Sequence, residues 1–196
     1  MRRLRRCSRL SARPDQLGST LAQPALPGTR AAVPEDAARI AEIYNQGIED
    51  RVATFETELR TEADILAWFA RPYPIVVVER AGRVDAFAAL SAYRDRACYA
   101  GIAEFSVYVA REARGQGLGG AAMTALLDAA AAAGFWKLVS RVFVENKGSR
   151  RLLARVGFRE VGVYEKHGQL DGVWRDVVIV ERLIPTNLGV CPGSRL

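Results

Sequence analysis

A single histidine, His167, among 196 residues removes most histidine-dependent chemistry from consideration. A histidine-ligated metal centre needs several imidazole rings, and a hydrolytic triad would have to be built on this one. Cysteine is nearly as scarce. Cys7, Cys98 and Cys191 are odd in number, widely spaced and without a C-x-x-C pair, so neither a disulfide framework nor a zinc site follows, and free thiols in a reducing cytoplasm are expected. No apolar run approaches the ~20 residues of a membrane-spanning helix. Acidic residues are missing from the start. Residues 1–30 hold seven of the 28 basic residues and one of the 22 acids, so the remaining 21 of each cancel over residues 31–196. The net charge of +6 therefore belongs to a tail, and the neutral remainder argues against a nucleic-acid partner.

What is present is the composition of one ordinary globular domain, 49% apolar and 26% charged. Residues 1–28 show no sustained periodicity and are expected to be a disordered basic extension. Their Arg- and Ser-rich composition also fits a transit peptide or a start placed too far upstream. Residues 29–184 carry regular patterns, and 185–196 read as a tail. A short strand at 29–33 precedes a helix opened by Pro34-Glu-Asp, with Ile40, Ile43, Tyr44 and Ile48 as its apolar stripe. Thr61-Glu-Ala-Asp64 has the form of a capping box and starts a second helix that ends before Pro72. Strands are expected at 75–80, 84–93, 103–109 and 137–144, and helices at 118–133 and 146–156, with Gly134 and Gly157 at their C-terminal caps. Residues 158–165 and 173–183 read as a closing hairpin across the loop HGQLDG. The expected fold is α+β: one mixed sheet of about six to seven strands flanked by about four helices, in a single domain.

The most informative stretch runs from Ala103 to Gly120, AEFSVYVAREARGQGLGG. Phe105, Val107 and Val109 alternate with Glu104, Ser106 and Tyr108, as on a strand. Gly115, Gly117, Gly119 and Gly120 then lead into a helix. Glycines at a strand-to-helix turn leave backbone N–H groups open to close approach, and the helix dipole favours an anion there, so a di- or polyphosphate is expected. Gly115, Gly117 and Gly120 satisfy G-x-G-x-x-G, but five residues separate them from the strand and no βαβ unit opens there. A nicotinamide or flavin site is thus disfavoured, a Walker A lysine is absent, and a purely structural turn is the bland alternative.

Arg114-Gly-Gln-Gly117-Leu-Gly119 resembles the R/Q-x-x-G-x-G/A pyrophosphate loop of the GNAT acetyltransferases, and Asn146, Ser149 and Gly157-Phe158 resemble that superfamily's next segment. The segments IYNQGIEDRVATFET, YRDRACYAGIAEFSVYV and YEKHGQLDGVWRDVVIVER are similar to the branch that acetylates phosphinothricin, arsinothricin and methionine sulfone or sulfoximine. The resemblance implies the GNAT fold, acetyl-CoA as co-substrate, no metal, and a small amino-acid-like acceptor. It implies that Val107, Tyr108 and Val109 pair with the pantetheine arm through their backbone, with Val109 N–H as oxyanion donor. Arg114, Gly115, Gln116, Gly117, Leu118, Gly119 and Gly120 would hold the pyrophosphate. Asn146 and Ser149 would touch the pantetheine, although Asn146 also suits a plain helix N-cap. Glu104 is the implied general base; pairing with Arg94 or Arg96 is its structural alternative. Arg96 and Tyr99 would hold the amino-acid part, with a surface arginine as the alternative. Phe55 and Thr54 fit a substrate-side loop, where Phe55 also reads as a core anchor. Lys166 and His167, at the hairpin tip, would reach toward the pocket in a homodimer. Leu153 stands where a tyrosine or histidine proton donor is usual, so that role has no candidate. Two other readings remain: the same fold acting on a peptide, protein N-terminus or antibiotic, and a non-catalytic acyl-CoA-binding module.

Overall fold

The computed structural model describes residues 27–189. Seven strands form one sheet in the order β1-β2-β3-β4-β5-β7-β6: β1 Gly28–Ala31, β2 Ile75–Arg80, β3 Arg83–Ala92, β4 Ile102–Val109, β5 Lys137–Phe143, β6 Arg159–Leu170 and β7 Val173–Leu183. Every neighbouring pair is antiparallel except β4 and β5. Four helices accompany it: α1 Ala37–Glu49, α2 Glu62–Phe69, α3 Leu118–Ala132 and α4 Lys147–Arg155. The expected α+β architecture is the one observed.

Local sequence accounts for most of these elements. In α1, Ile40, Ile43 and Ile48 are buried on one stripe. Thr61 caps α2 through a reciprocal pair: its Oγ1 accepts from Asp64 N–H, and its own N–H donates to Asp64 Oδ2 at 2.8 Å. The most deeply buried strands are β2 and β3, where Val76, Val77, Val78, Phe87 and Ala88 are sealed on both faces. Strand alternation sends Tyr108 to the α1 face, where its ring lies 4.7 Å from that of Tyr44 and 5.5 Å from Phe87. Val109 goes to the α3 face, and Phe105, on that same face, meets Phe158 at 4.7 Å.

Two expectations need correction. The closing hairpin does not turn through HGQLDG. β6 continues to Leu170 and pairs with Val173, leaving Asp171-Gly172 as a two-residue turn with φ of 50° and 76°. Both values are positive, as a type I′ turn requires, and its right-handed twist matches the flanking strands. Lys166 and His167 therefore lie within β6, at a bulge between Tyr164 and Gly168, and not at the tip. Residues 185–187, expected in the tail, form a 3₁₀ turn in which Asn187 Nδ2 donates to Ala131 O at 2.8 Å and to Phe135 O at 2.9 Å. The expected disordered extension falls almost wholly outside the described residues, as do Cys7 and Cys191.

Candidate active site

The site begins where the sheet fails. β4 and β5 pair only at Ile102–Glu104 against Lys137–Val139 and then separate. Ser140 Oγ reaches across to Phe105 O at 2.9 Å, the last hydrogen bond from β5 to the β4 backbone. That contact fixes the direction of the strand's backbone groups. Phe105 faces the gap, while Ala110 N–H donates to Asp85 O on the β3 side at 2.8 Å, so two-residue alternation turns Val107 and Val109 to the gap as well. Their N–H groups therefore point away from β3 into the gap, and an unpaired strand edge offers itself to an extended ligand.

The gap leads to the glycine turn. Gly115 and Gly117 have φ of 75° and 82°, which only glycine adopts without strain. A side chain at Gly119 would collide with Leu152, 2.5 Å away, so that glycine lets α3 and α4 approach. Gly120 differs. It has no positive φ, and a Cβ there would meet nothing within 4 Å, so the protein itself does not require a glycine at that position. The N–H groups of residues 115–119 find no acceptor among the described residues. Five free amides at the start of a 15-residue helix, over a bare surface at Gly120, fit a pyrophosphate. Arg114 and Gln116 are internally engaged: Arg114 donates to Asp50 Oδ2 at 2.6 Å and to Val109 O at 3.1 Å, and Gln116 Oε1 accepts from Arg80.

On the α1 side of β4 lies a cavity of about 1020 Å³. Glu104, Val107 and Tyr108 line it from β4, Phe55 from the loop after α1, and His167 from the β6 bulge. Bulges re-aim side chains, and this one sets the His167 ring 6.4 Å from Phe55. Phe55 packs on Phe143 at 4.8 Å and closely over Gly168. Burial, with Tyr44 beside it, pushes the Tyr108 phenol well above its ordinary range, so it remains protonated at neutral pH. Asn146 and Ser149 also line the cavity. Both ends of the Asn146 amide are occupied: Oδ1 accepts from Ser149 N–H at 3.0 Å, and Nδ2 donates to Val52 O at 3.0 Å, so it caps α4 and anchors the loop after α1. Leu153, with 1% exposure, contributes only hydrocarbon.

Arg96, Tyr99 and Lys166 do not line this cavity. Arg96 stacks over the Tyr99 ring at 5.8 Å in the β3–β4 connection, and Lys166 is an exposed residue whose N–H donates to Asp176 Oδ1 at 2.7 Å. Glu104 pairs with neither Arg94 nor Arg96. Its partner is Arg141 of β5, whose Nη2 donates to both carboxylate oxygens. Arg141, Trp68 and Arg71 are cavity residues that sequence patterns did not single out, and Tyr44 was read only as part of the α1 apolar stripe. None of the four carried a local signal of this role, because each reaches the cavity only through the packing of separate elements. Among the described residues no cluster of His, Cys, Asp or Glu is arranged to hold a metal, and no helix is long and apolar enough to cross a membrane.

A cleft between splayed β4 and β5, closed at one end by free amides at a helix start, defines an acyl-CoA-dependent transferase. The chain matches the acetyltransferase (GNAT) family over residues 40–158 and belongs to that family. It is an acetyl-CoA-dependent N-acetyltransferase. Over 169 residues it is 34% identical to the phosphinothricin N-acetyltransferase of Streptomyces coelicolor, covering 80% of this chain and 99% of the relative. It is 33% identical over 153 residues to the L-methionine sulfoximine/L-methionine sulfone acetyltransferase of Pseudomonas aeruginosa, covering 75% and 89%. The fold superposes on a phosphinothricin acetyltransferase from Sinorhizobium meliloti in complex with acetyl-CoA, with a TM-score of 0.79, 30% identity and coverage of 87% and 95%.

Proposed function

We propose that this enzyme acetylates the α-amine of a small anionic amino-acid analogue of the phosphinothricin, arsinothricin or methionine sulfone type, and that this acetylation confers resistance to the analogue. The observation that carries the reading is the position of Glu104, a carboxylate at the point where β4 and β5 part, facing a polar cavity beside the free β4 edge. The names of the relatives support the acceptor class.

Bound acetyl-CoA supplies the acetyl group as a thioester. Residues 115–120 hold its pyrophosphate, and Val107 and Val109 pair with the pantetheine arm. Val109 N–H points at the oxygen on which negative charge develops. Glu104 takes a proton from the incoming ammonium, directly or through water, because only the neutral amine is a nucleophile. The C–N bond forms as the C–S bond breaks, and the proton that returns to the thiolate comes from solvent, since Leu153 offers none. Phe55 and His167 bound the acceptor side.

We also infer a homodimer. β6 is exposed along most of its length, and Val161, Val163, Tyr164, Val173 and Trp174 are each at least 50% exposed, an unusual apolar surface for an edge hairpin. We place the enzyme in the cytoplasm, where acetyl-CoA is available.

The test is a panel assay of thiol release from acetyl-CoA with phosphinothricin, arsinothricin, methionine sulfone, ordinary amino acids, polyamines and peptide N-termini. The reading requires turnover with at least one amino-acid analogue well above that with polyamines or peptides. The reverse order overturns it.

A further inference from the structure

Arg141 is the cavity's least expected residue. It follows the last paired position of β5 by two residues, where Ser140 holds β5 to Phe105 O. Its side chain is 43% exposed and lines the cavity. A guanidinium has five N–H donors. Here Nη2 alone serves both oxygens of Glu104, and Nε and Nη1 have no acceptor among the described residues. The head group is thus fixed at one corner and open along the rest of its donor edge.

The other cations of the cavity are placed differently. Arg60 is taken by Glu56 at 2.5 Å, and Arg71 makes no contact with Glu104. Resting on the reading of Glu104 as base for an α-amine, we propose that Arg141 binds the α-carboxylate of the acceptor, making it the residue that selects a free amino acid over an amine or a peptide. The chemistry of the acceptor requires a cation at this place. In an α-amino acid the carboxylate carbon is two bonds from the amine nitrogen, so an amine at Glu104 brings its carboxylate beside whatever holds Glu104. A guanidinium that grips the base with one nitrogen and the carboxylate with the others sets the separation between base and nucleophile, and charge-assisted pairing makes that grip specific. An acceptor lacking the carboxylate leaves those N–H groups unpaired and forfeits the orientation.

The experiment compares L-methionine sulfone, whose only anion is the α-carboxylate, with its α-carboxamide. Both are measured as kcat/KM for thiol release in wild type, Arg141→Ala and Arg141→Lys, with melting temperature and acetyl-CoA affinity by calorimetry on the same preparations. The difference in amine acidity between acid and amide cancels when their ratio is compared across variants. In wild type the acid is preferred over the amide. In Arg141→Ala that preference falls by about 10- to 100-fold, carried mainly by KM for the acid, and Arg141→Lys recovers part of it. Acetyl-CoA affinity stays at the wild-type value. A preference that survives in Arg141→Ala overturns the proposal, as does an equal loss for acid and amide, which would mark Arg141 as a positioning residue for Glu104 alone. If wild type releases no thiol with methionine sulfone, phosphinothricin or arsinothricin, the functional reading itself fails and this proposal falls with it.

Discussion

The two ends of the β4 gap are built by opposite means. At the glycine end the parts are contiguous: residues 107–120 run from strand edge to helix start, and most of what they offer is backbone N–H. At the Glu104 end the parts come from far apart in the chain. Tyr44, Phe55, Glu104, Arg141 and His167 belong to five separate segments, and what they offer is side chains. A backbone cradle fits any pyrophosphate and depends on little else. A side-chain cavity depends on every segment that walls it, so it is the end at which relatives of one fold diverge in acceptor. The comparison separates binding of the donor from selection and activation of the amine.

The sharpest way to break that separation is at Glu104. Glu104→Gln keeps the shape and removes the base, and turnover is expected to fall by about 10²- to 10⁴-fold in a thiol-release assay at neutral pH. Next comes Gly120→Leu. A Cβ there meets nothing within 4 Å, so stability is expected to hold while the leucine side chain covers the free amides. Acetyl-CoA affinity by calorimetry should drop about 10- to 100-fold with the melting temperature unchanged. Asn146→Ala loses both the α4 cap and the tie to Val52 O, costing about 1 kcal/mol in a denaturant melt and loosening the loop that carries Phe55. The smallest effect concerns neither end. Lys137, together with Arg159, holds the Glu181 carboxyl below its usual range despite burial, and Arg30 does the same for Asp36. Because the folded values are depressed, this stabilisation is present above the unfolded-state pKa and is lost as pH falls through the folded one. Thermal melts should be flat above about pH 5 and decline below about pH 4, less steeply in Glu181→Gln.

The same contrast explains what was legible in the sequence. The glycine turn, the Thr61 cap and the α1 stripe were readable because each is decided within a few residues. Glu104 was readable only through resemblance, and its partner was not: Arg141 lies 37 positions away, and only the parallel pairing of β4 with β5 brings the two together. The hairpin was misjudged for a different reason. Polar HGQ looked like a turn, but Asp171-Gly172 supplies the two positive φ values that a tight turn requires, and the irregularity at 165–167 is a bulge that sets the exposed His167 at the cavity wall. Arg96 and Tyr99 were placed by resemblance, and here they stack on one another outside the cavity.

Calorimetric titration of acetyl-CoA into the Glu104→Gln protein tests the division most directly. The account predicts an affinity within about twofold of wild type alongside the loss of turnover. A loss of acetyl-CoA affinity parallel to the loss of turnover would contradict it, because the two ends of β4 would then be a single unit.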